Sequence, residues 1–126
     1  MDVQKTGKKI LIIDDDRMLH GMLQPILHSY GFEVVSAMTG EEGLHMAASE
    51  RPDVVILDVI MPKMKGREVC KRLKELPDTK HIPVLFLTSK DSEDDIKAEL
   101  EVGAAGHIIK PVQPAFLVQR INEILK

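Results

Sequence analysis

Three short runs of the chain are apolar at every position, and the stretches between them repeat apolar residues at helical spacing. The runs are Ile10 to Ile13, Val54 to Leu57 and Val84 to Leu87. A strand with no polar position has both faces covered, as in the interior of a parallel sheet. His107 to Ile109 reads as a shorter strand, and Glu33 to Ser36 as a weaker one at an edge.

The intervening segments predict helices. Arg17 to Tyr30 sets Met18, Met22, Ile26 and Tyr30 on one stripe, with Leu19, Leu23 and Leu27 beside it. Pro25 lies inside that segment with its ring against the carbonyl of Gly21, which predicts a kink. Thr39-Gly-Glu-Glu42 is a capping box, after which Leu44, Ala47 and Ala48 are expected to face inward. Val69, Leu73 and Leu76 mark a third helix. Ile96 and Leu100 mark a fourth, opened by Ser92 and Asp95. Pro114 suits the first turn of the last helix, which runs through Leu117, Ile121 and Ile124.

The order is strand then helix, five times over. That alternation predicts an α/β fold, a doubly wound parallel sheet with right-handed crossovers and helices on both faces. Ligands of such sheets bind at the carboxyl ends of the strands, where the strand order reverses. The residues just after each strand therefore carry the functional reading.

Composition narrows the class. A chain of 126 residues is the size of one domain, and residues 1–126 are expected to form one, with 1–8 a flexible N-terminal segment. Only 3% of residues are aromatic, so the core must be aliphatic. The lone Cys70 cannot form an internal disulfide and is expected to pack with Val69 and Leu73. With no secretion signal and no apolar run of membrane-spanning length, a cytoplasmic location is expected. The net charge of -3 gives no bulk affinity for nucleic acid. The basic run Lys63, Lys65, Arg67, Lys71, Arg72 and Lys74 lacks interleaved aromatics, which also argues against such binding.

The strand ends hold the chemistry. Asp14, Asp15 and Asp16 follow the first strand, Asp58 the third, Thr88 the fourth and Lys110 the fifth. Each has an ordinary alternative: a turn or cap for the acids and Thr88, a surface charge for Lys110. Together, at one sheet edge, they suit a phosphoryl group beside a metal ion. Clustered carboxylates need a compensating cation, and an all-oxygen set selects a hard ion such as Mg²⁺. Lys110 and the Thr88 hydroxyl suit an anion with spread charge. Asp58, a lone acid followed by Val59 and Ile60, is the best nucleophile, able to form an aspartyl phosphate. Asp14 and Asp15 suit metal binding, and Asp16 suits a helix cap. His20 and His28, two turns apart on one helix, lack the ligand count of a zinc site.

These residues lie in Lys9-Ile-Leu-Ile-Ile-Asp-Asp-Asp16, Pro52-Asp-Val-Val-Ile-Leu-Asp-Val-Ile-Met-Pro62 with Gly66, Leu87-Thr-Ser89 and Ile109-Lys-Pro111. With all four motifs in order, the chain from Lys9 onward closely resembles the receiver domain of bacterial two-component response regulators. The resemblance implies a flavodoxin-like sheet of strand order 2-1-3-4-5. It implies that Asp58 accepts a phosphoryl group from a histidine kinase or histidine phosphotransfer protein. Mg²⁺ would be held by Asp14, Asp15, Asp58 and the carbonyl of Ile60. Lys110 would pair with phosphoryl oxygens, and its bond to Pro111 is often cis in relatives. Thr88 would swing towards the phosphoryl group and let a residue of the fifth strand turn inward. That movement would alter the face formed by helix 4, strand 5 and helix 5, where partners or a second copy would bind.

Some positions depart from the family pattern. The switch position, usually Phe or Tyr, is His107, which at an unperturbed pKa of about 6.5 would make switching pH-sensitive. The alternative for His107 is a half-exposed strand residue with no such role. Ser89 stands where a small residue, often Ala, is expected, and Ile60 and Lys90 occupy positions that tune phosphoryl lifetime. A phosphohydrolase would need an acid two residues after Asp58, where Ile60 stands, so a signalling module with slow self-dephosphorylation is expected instead of an enzyme. A flavin or nucleotide domain is disfavoured by the three acids where a phosphate loop would start, and no P-loop pattern occurs. A stand-alone regulator and the receiver portion of a larger one both fit.

Overall fold

The structure is a computed structural model and describes residues 6–89 and 92–126. Among these residues the chain alternates β1 (Lys9–Ile13), α1 (Arg17–Ser29), β2 (Glu33–Ala37), α2 (Gly40–Glu50), β3 (Val54–Asp58), α3 (Gly66–Glu75), β4 (Val84–Thr88), α4 (Glu93–Glu101), β5 (Gly106–Ile109) and α5 (Pro114–Ile124). All strand pairings are parallel and the order is β2-β1-β3-β4-β5. The all-apolar runs became β1, β3 and β4, the three interior strands, and the two weaker candidates became the edges.

Side chains alternate between two cores. Ile10, Ile12, Val54, Ile56, Leu85 and Leu87 face α1 and α5, whereas Leu11, Ile13, Val55, Leu57, Val84 and Phe86 face α2 and α3. Each fully buried aliphatic side chain of this kind contributes roughly 1.5–3 kcal/mol. The sheet floor under the strand ends is therefore fully buried on both faces.

The helix faces depart from the sequence reading in places. On α1 the inward stripe is Leu19, Leu23 and Leu27 with His20, while Met18 is 84% exposed. The helix continues through Pro25. On α2, Gly43 and Ala47 are buried but Ala48 is exposed. An added Cβ at Gly43 would lie 2.5 Å from Ile13 Cδ1, so a side chain there would force the buried Ile13 to shift. Leu76 lies beyond the end of α3 and is half exposed, one residue before Pro77. On α4 the expected inward Leu100 is 59% exposed, and the buried residue is Glu99.

Thr39 and Ser92 cap as expected, Thr39 Oγ1 accepting from Glu42 N–H at 3.1 Å and Ser92 Oγ from Asp95 N–H at 3.1 Å. The Glu42 carboxylate, however, reaches back to the Met38 N–H at 3.2 Å, one residue before the position a capping box uses. Cys70 is buried in the core with Val69 and Leu73. Of the N-terminal segment, residues 1–5 lie outside the described residues. Thr6 donates its N–H to the carbonyl of Gly31 at 2.9 Å. Lys90, named for phosphoryl lifetime, also lies outside the described residues.

Candidate functional site

The carboxyl ends of β1, β3, β4 and β5 converge because the strands run parallel and in register, with Ile13 opposite Leu57, Asp58 opposite Leu87 and Thr88 opposite Ile109. Asp14 directly follows β1 and is buried, while Asp58 ends β3 and is 7% exposed. Asp15 is exposed beside them. One carboxylate oxygen of each of Asp14, Asp15 and Asp58 lies within 4.8 Å of the others. Among the described residues this is the one such group of three able to hold a metal ion. Its donors are all oxygen, which fits a hard divalent cation.

Lys110, after β5, reaches into the cluster. Its Nζ lies 3.1 Å from Asp14 Oδ2 and 3.7 Å from Asp58 Oδ1. One ammonium serves three acids, so negative charge remains in excess. The Asp58 carboxyl is pushed up from 3.8 to about 6, first by burial and then by Asp14, with Lys110 partly opposing. Burial alone would depress the Lys110 ammonium, but its hydrogen bond to Asp14 and the charges of Asp14, Asp58 and Asp16 leave it raised. An uncompensated cluster of this kind is suited to taking up a cation.

Local structure fixes the parts. Asp14 Oδ1 accepts the N–H of Asp16 at 2.9 Å. Asp16 turns away and caps α1, accepting from Met18 N–H at 3.0 Å and Leu19 N–H at 3.4 Å, as its position suggested. Asp58 Oδ1 accepts from Ile60 N–H at 3.4 Å, and the Ile60 side chain is exposed. Thr88 is fully buried at the end of β4, and its carbonyl accepts the Lys110 N–H at 2.8 Å. The Lys110–Pro111 bond is cis. His107 is half-buried within β5, opposite Phe86 of β4.

Gly66 closes the loop after β3. A Cβ there would meet the Asp58 carbonyl oxygen at 2.0 Å, and the Gly66 N–H donates to the Val59 carbonyl at 2.9 Å. Only glycine lets α3 begin this close to the strand that ends in Asp58.

Sequence reading assigned no role to three buried polar residues, of which Thr79 simply donates its hydroxyl to the Leu73 carbonyl at 2.7 Å. His20, considered only as a zinc ligand, bonds the carbonyl of Asp14. Glu99 was hidden by the Ile96–Leu100 stripe. The burial of His20 and Glu99 had no signal in the chain, since helix periodicity does not fix which face turns inward when two neighbouring faces qualify.

The chain matches the family of response regulator receiver domains over residues 10–122. It is 41% identical over 120 residues to the alkaline phosphatase synthesis transcriptional regulatory protein PhoP of Bacillus subtilis, covering 95% of this chain and 49% of PhoP. It is 38% identical over 118 residues to the response regulator PleD of Caulobacter vibrioides, covering 94% of this chain and 26% of PleD. The chain thus spans about half the length of the first of these curated relatives and about a quarter of the second. Among solved structures, the chemotaxis protein CheY4 of Vibrio cholerae superposes with a TM-score of 0.90 at 35% identity, covering 94% of this chain and 98% of that one. The BeF3-activated N-terminal receiver domain of Klebsiella pneumoniae RstA gives 0.86 at 30% identity, covering 94% and 98%. Strand order, the acidic cluster and the family match over residues 10–122 agree: the chain belongs to the receiver domains of two-component response regulators.

Proposed function

We propose that Asp58 accepts a phosphoryl group from the phosphohistidine of a histidine kinase or histidine phosphotransfer protein, and that Mg²⁺ assists. The observation that carries this reading is the placement of Asp58. It is the buried acid at the centre of the strand ends, raised to about 6, with Asp14, Asp15 and Lys110 around it. A carboxylate oxygen of Asp58 forms the new bond to phosphorus while the bond from phosphorus to the donor imidazole nitrogen breaks, and that nitrogen keeps the electron pair. Lys110 leaves its contact with Asp58 to pair with a phosphoryl oxygen, and Thr88 donates its hydroxyl to another. Asp14, Asp15, Asp58 and the carbonyl of Ile60 would hold Mg²⁺, which when bound offsets charge on the acids and the phosphoryl oxygens. Ile60 stands where a hydrolytic enzyme would need an acid, so the adduct persists and the domain acts as a signalling module.

Readout is assigned to the α4–β5–α5 face. His107 is the switch residue, and a depression lined by His107, Ile109, Pro111, Gln113 and Phe116 opens beside it. This face takes the downstream partner or a second copy. The domain is read as residues 1–126 working in the cytoplasm. Among the described residues no helix is long and apolar enough to cross a membrane.

Incubation with Mg²⁺ and acetyl phosphate, followed by intact-mass measurement, tests the assignment. Wild type gains one phosphoryl mass in an acid-stable, base-labile form, and Asp58→Asn gains none. An equal adduct on the variant would move the acceptor elsewhere.

A further inference from the structure

His20 lies on the inward face of α1, one turn after the capping Asp16, and is 6% exposed. Both ring nitrogens are engaged. Nε2 is 2.7 Å from the carbonyl oxygen of Asp14, and Nδ1 is 3.0 Å from Ser36 Oγ on β2. A carbonyl only accepts, so Nε2 carries the hydrogen, and in the neutral ring Nδ1 accepts the Ser36 hydroxyl proton. The Gln24 carboxamide, one turn further along α1, donates to the same serine oxygen. The bonds therefore run in one direction, from Gln24 to Ser36, from Ser36 to His20, and from His20 to Asp14.

The series ends on the peptide unit joining Asp14 to Asp15. That unit is planar, so fixing its carbonyl fixes the direction in which the chain leaves Asp14. The Asp14 N–H is held as well, donating to the Ala37 carbonyl at 3.1 Å. The two acids on either side of this peptide are the two that meet Asp58.

We propose that His20 is a positioning residue for the acidic cluster. Through the Asp14–Asp15 peptide it holds the two carboxylates at the separation that receives a divalent cation, and Ser36 and Gln24 hold the ring in the donating tautomer. The inference rests on the reading that the cluster binds Mg²⁺. A residue with a merely structural role would lower stability when lost and leave the Mg²⁺ affinity of the folded protein unchanged.

Mg²⁺ titrations followed by the backbone amide shifts of Asp15 and Asp58 separate the two roles, with thermal unfolding in EDTA as the control for folding. Loss of a group that orients a metal ligand from behind weakens affinity by about 10-fold or more, which is the result expected for His20→Leu. His20→Gln places an amide N–H within reach of the same carbonyl and restores affinity to within about 3-fold. Ser36→Ala leaves the ring but frees its tautomer, and weakens binding by about 3-fold. Unchanged affinity in a folded His20→Leu overturns the proposal. Should that variant not fold, unchanged affinity in Ser36→Ala overturns it instead. A wild type that shows no shift with Mg²⁺ overturns the underlying Mg²⁺ reading, a different and separately visible failure.

Discussion

Asp58 and Glu99 are both carboxylates buried against the same sheet and both raised by burial, yet their surroundings differ in kind. Asp58 sits among like charges, with Lys110 at 3.7 Å and the Ile60 N–H at 3.4 Å. Glu99, 1% exposed on the inward side of α4, has no hydrogen bond to either carboxylate oxygen among the described residues. The nearby Arg67 donates from Nη2 to Asp95 at 2.7 Å, and its buried Nε also has no partner among the described residues. Arg67 and His107 lower the Glu99 carboxyl only through space, against burial and the charge of Asp95. The Asp58 penalty joins burial to crowding by Asp14 and Asp15, and an added cation offsets it by neutralising the charge gathered there. The Glu99 penalty is one of isolation, which only a change of residue or a movement of α4 relieves.

Substitution at the two positions should therefore respond differently to Mg²⁺. The largest effect is expected for Asp58→Asn. A carboxyl raised from 3.8 to about 6 in the folded state destabilises the fold above both values, and the penalty vanishes as pH falls below the lower one. In EDTA above about pH 7, urea unfolding should show the variant more stable by up to about 3 kcal/mol. Saturating Mg²⁺ should close that gap. A gap that persists in Mg²⁺ would mean that the cluster is not relieved by the ion.

Glu99→Met comes next, with a gain of about 2 kcal/mol, because a buried unpaired carboxylate is replaced by an apolar chain of similar volume. Its carboxyl is also raised, so the gain is present at neutral pH and shrinks in acid. Mg²⁺ should leave it unaltered. A loss of stability would reveal that Glu99 is paired in solution.

The smallest effect tests the division of labour among the three consecutive acids. Asp16→Ala removes the α1 cap and should cost about 1 kcal/mol in thermal unfolding. Mg²⁺ affinity measured on the same protein should stay within about 2-fold, since Asp16 faces its helix and not the cluster. A large loss of affinity would make Asp16 part of the ion site.

Much of this arrangement was legible in the chain. Ile10 to Ile13, Val54 to Leu57 and Val84 to Leu87 could only be interior strands, because nothing in them tolerates water. The polar residues that follow them then had one edge to share. Helix rotation was not legible. On α1 the Met and Leu stripes are equally apolar, and the sheet selects the Leu stripe, leaving Met18 exposed. On α4 the same ambiguity hid Glu99 behind Leu100. His20 was weighed only as a zinc ligand because its partners, the Asp14 carbonyl and Ser36, are brought to it only by the packing of α1 on β1 and β2.

The glycine that opens α3 has a consequence for how receivers of this kind can be retuned. With Gly66 seated on the Asp58 carbonyl and bonded to Val59, both ends of the intervening segment are anchored. Between them, Met61 is buried in the core and Met64 packs against it, whereas Ile60, Pro62, Lys63 and Lys65 are exposed. The exposed side chains are therefore the ones through which the approach of water and partners to Asp58 can be altered with the least disturbance to the strand and helix that frame them.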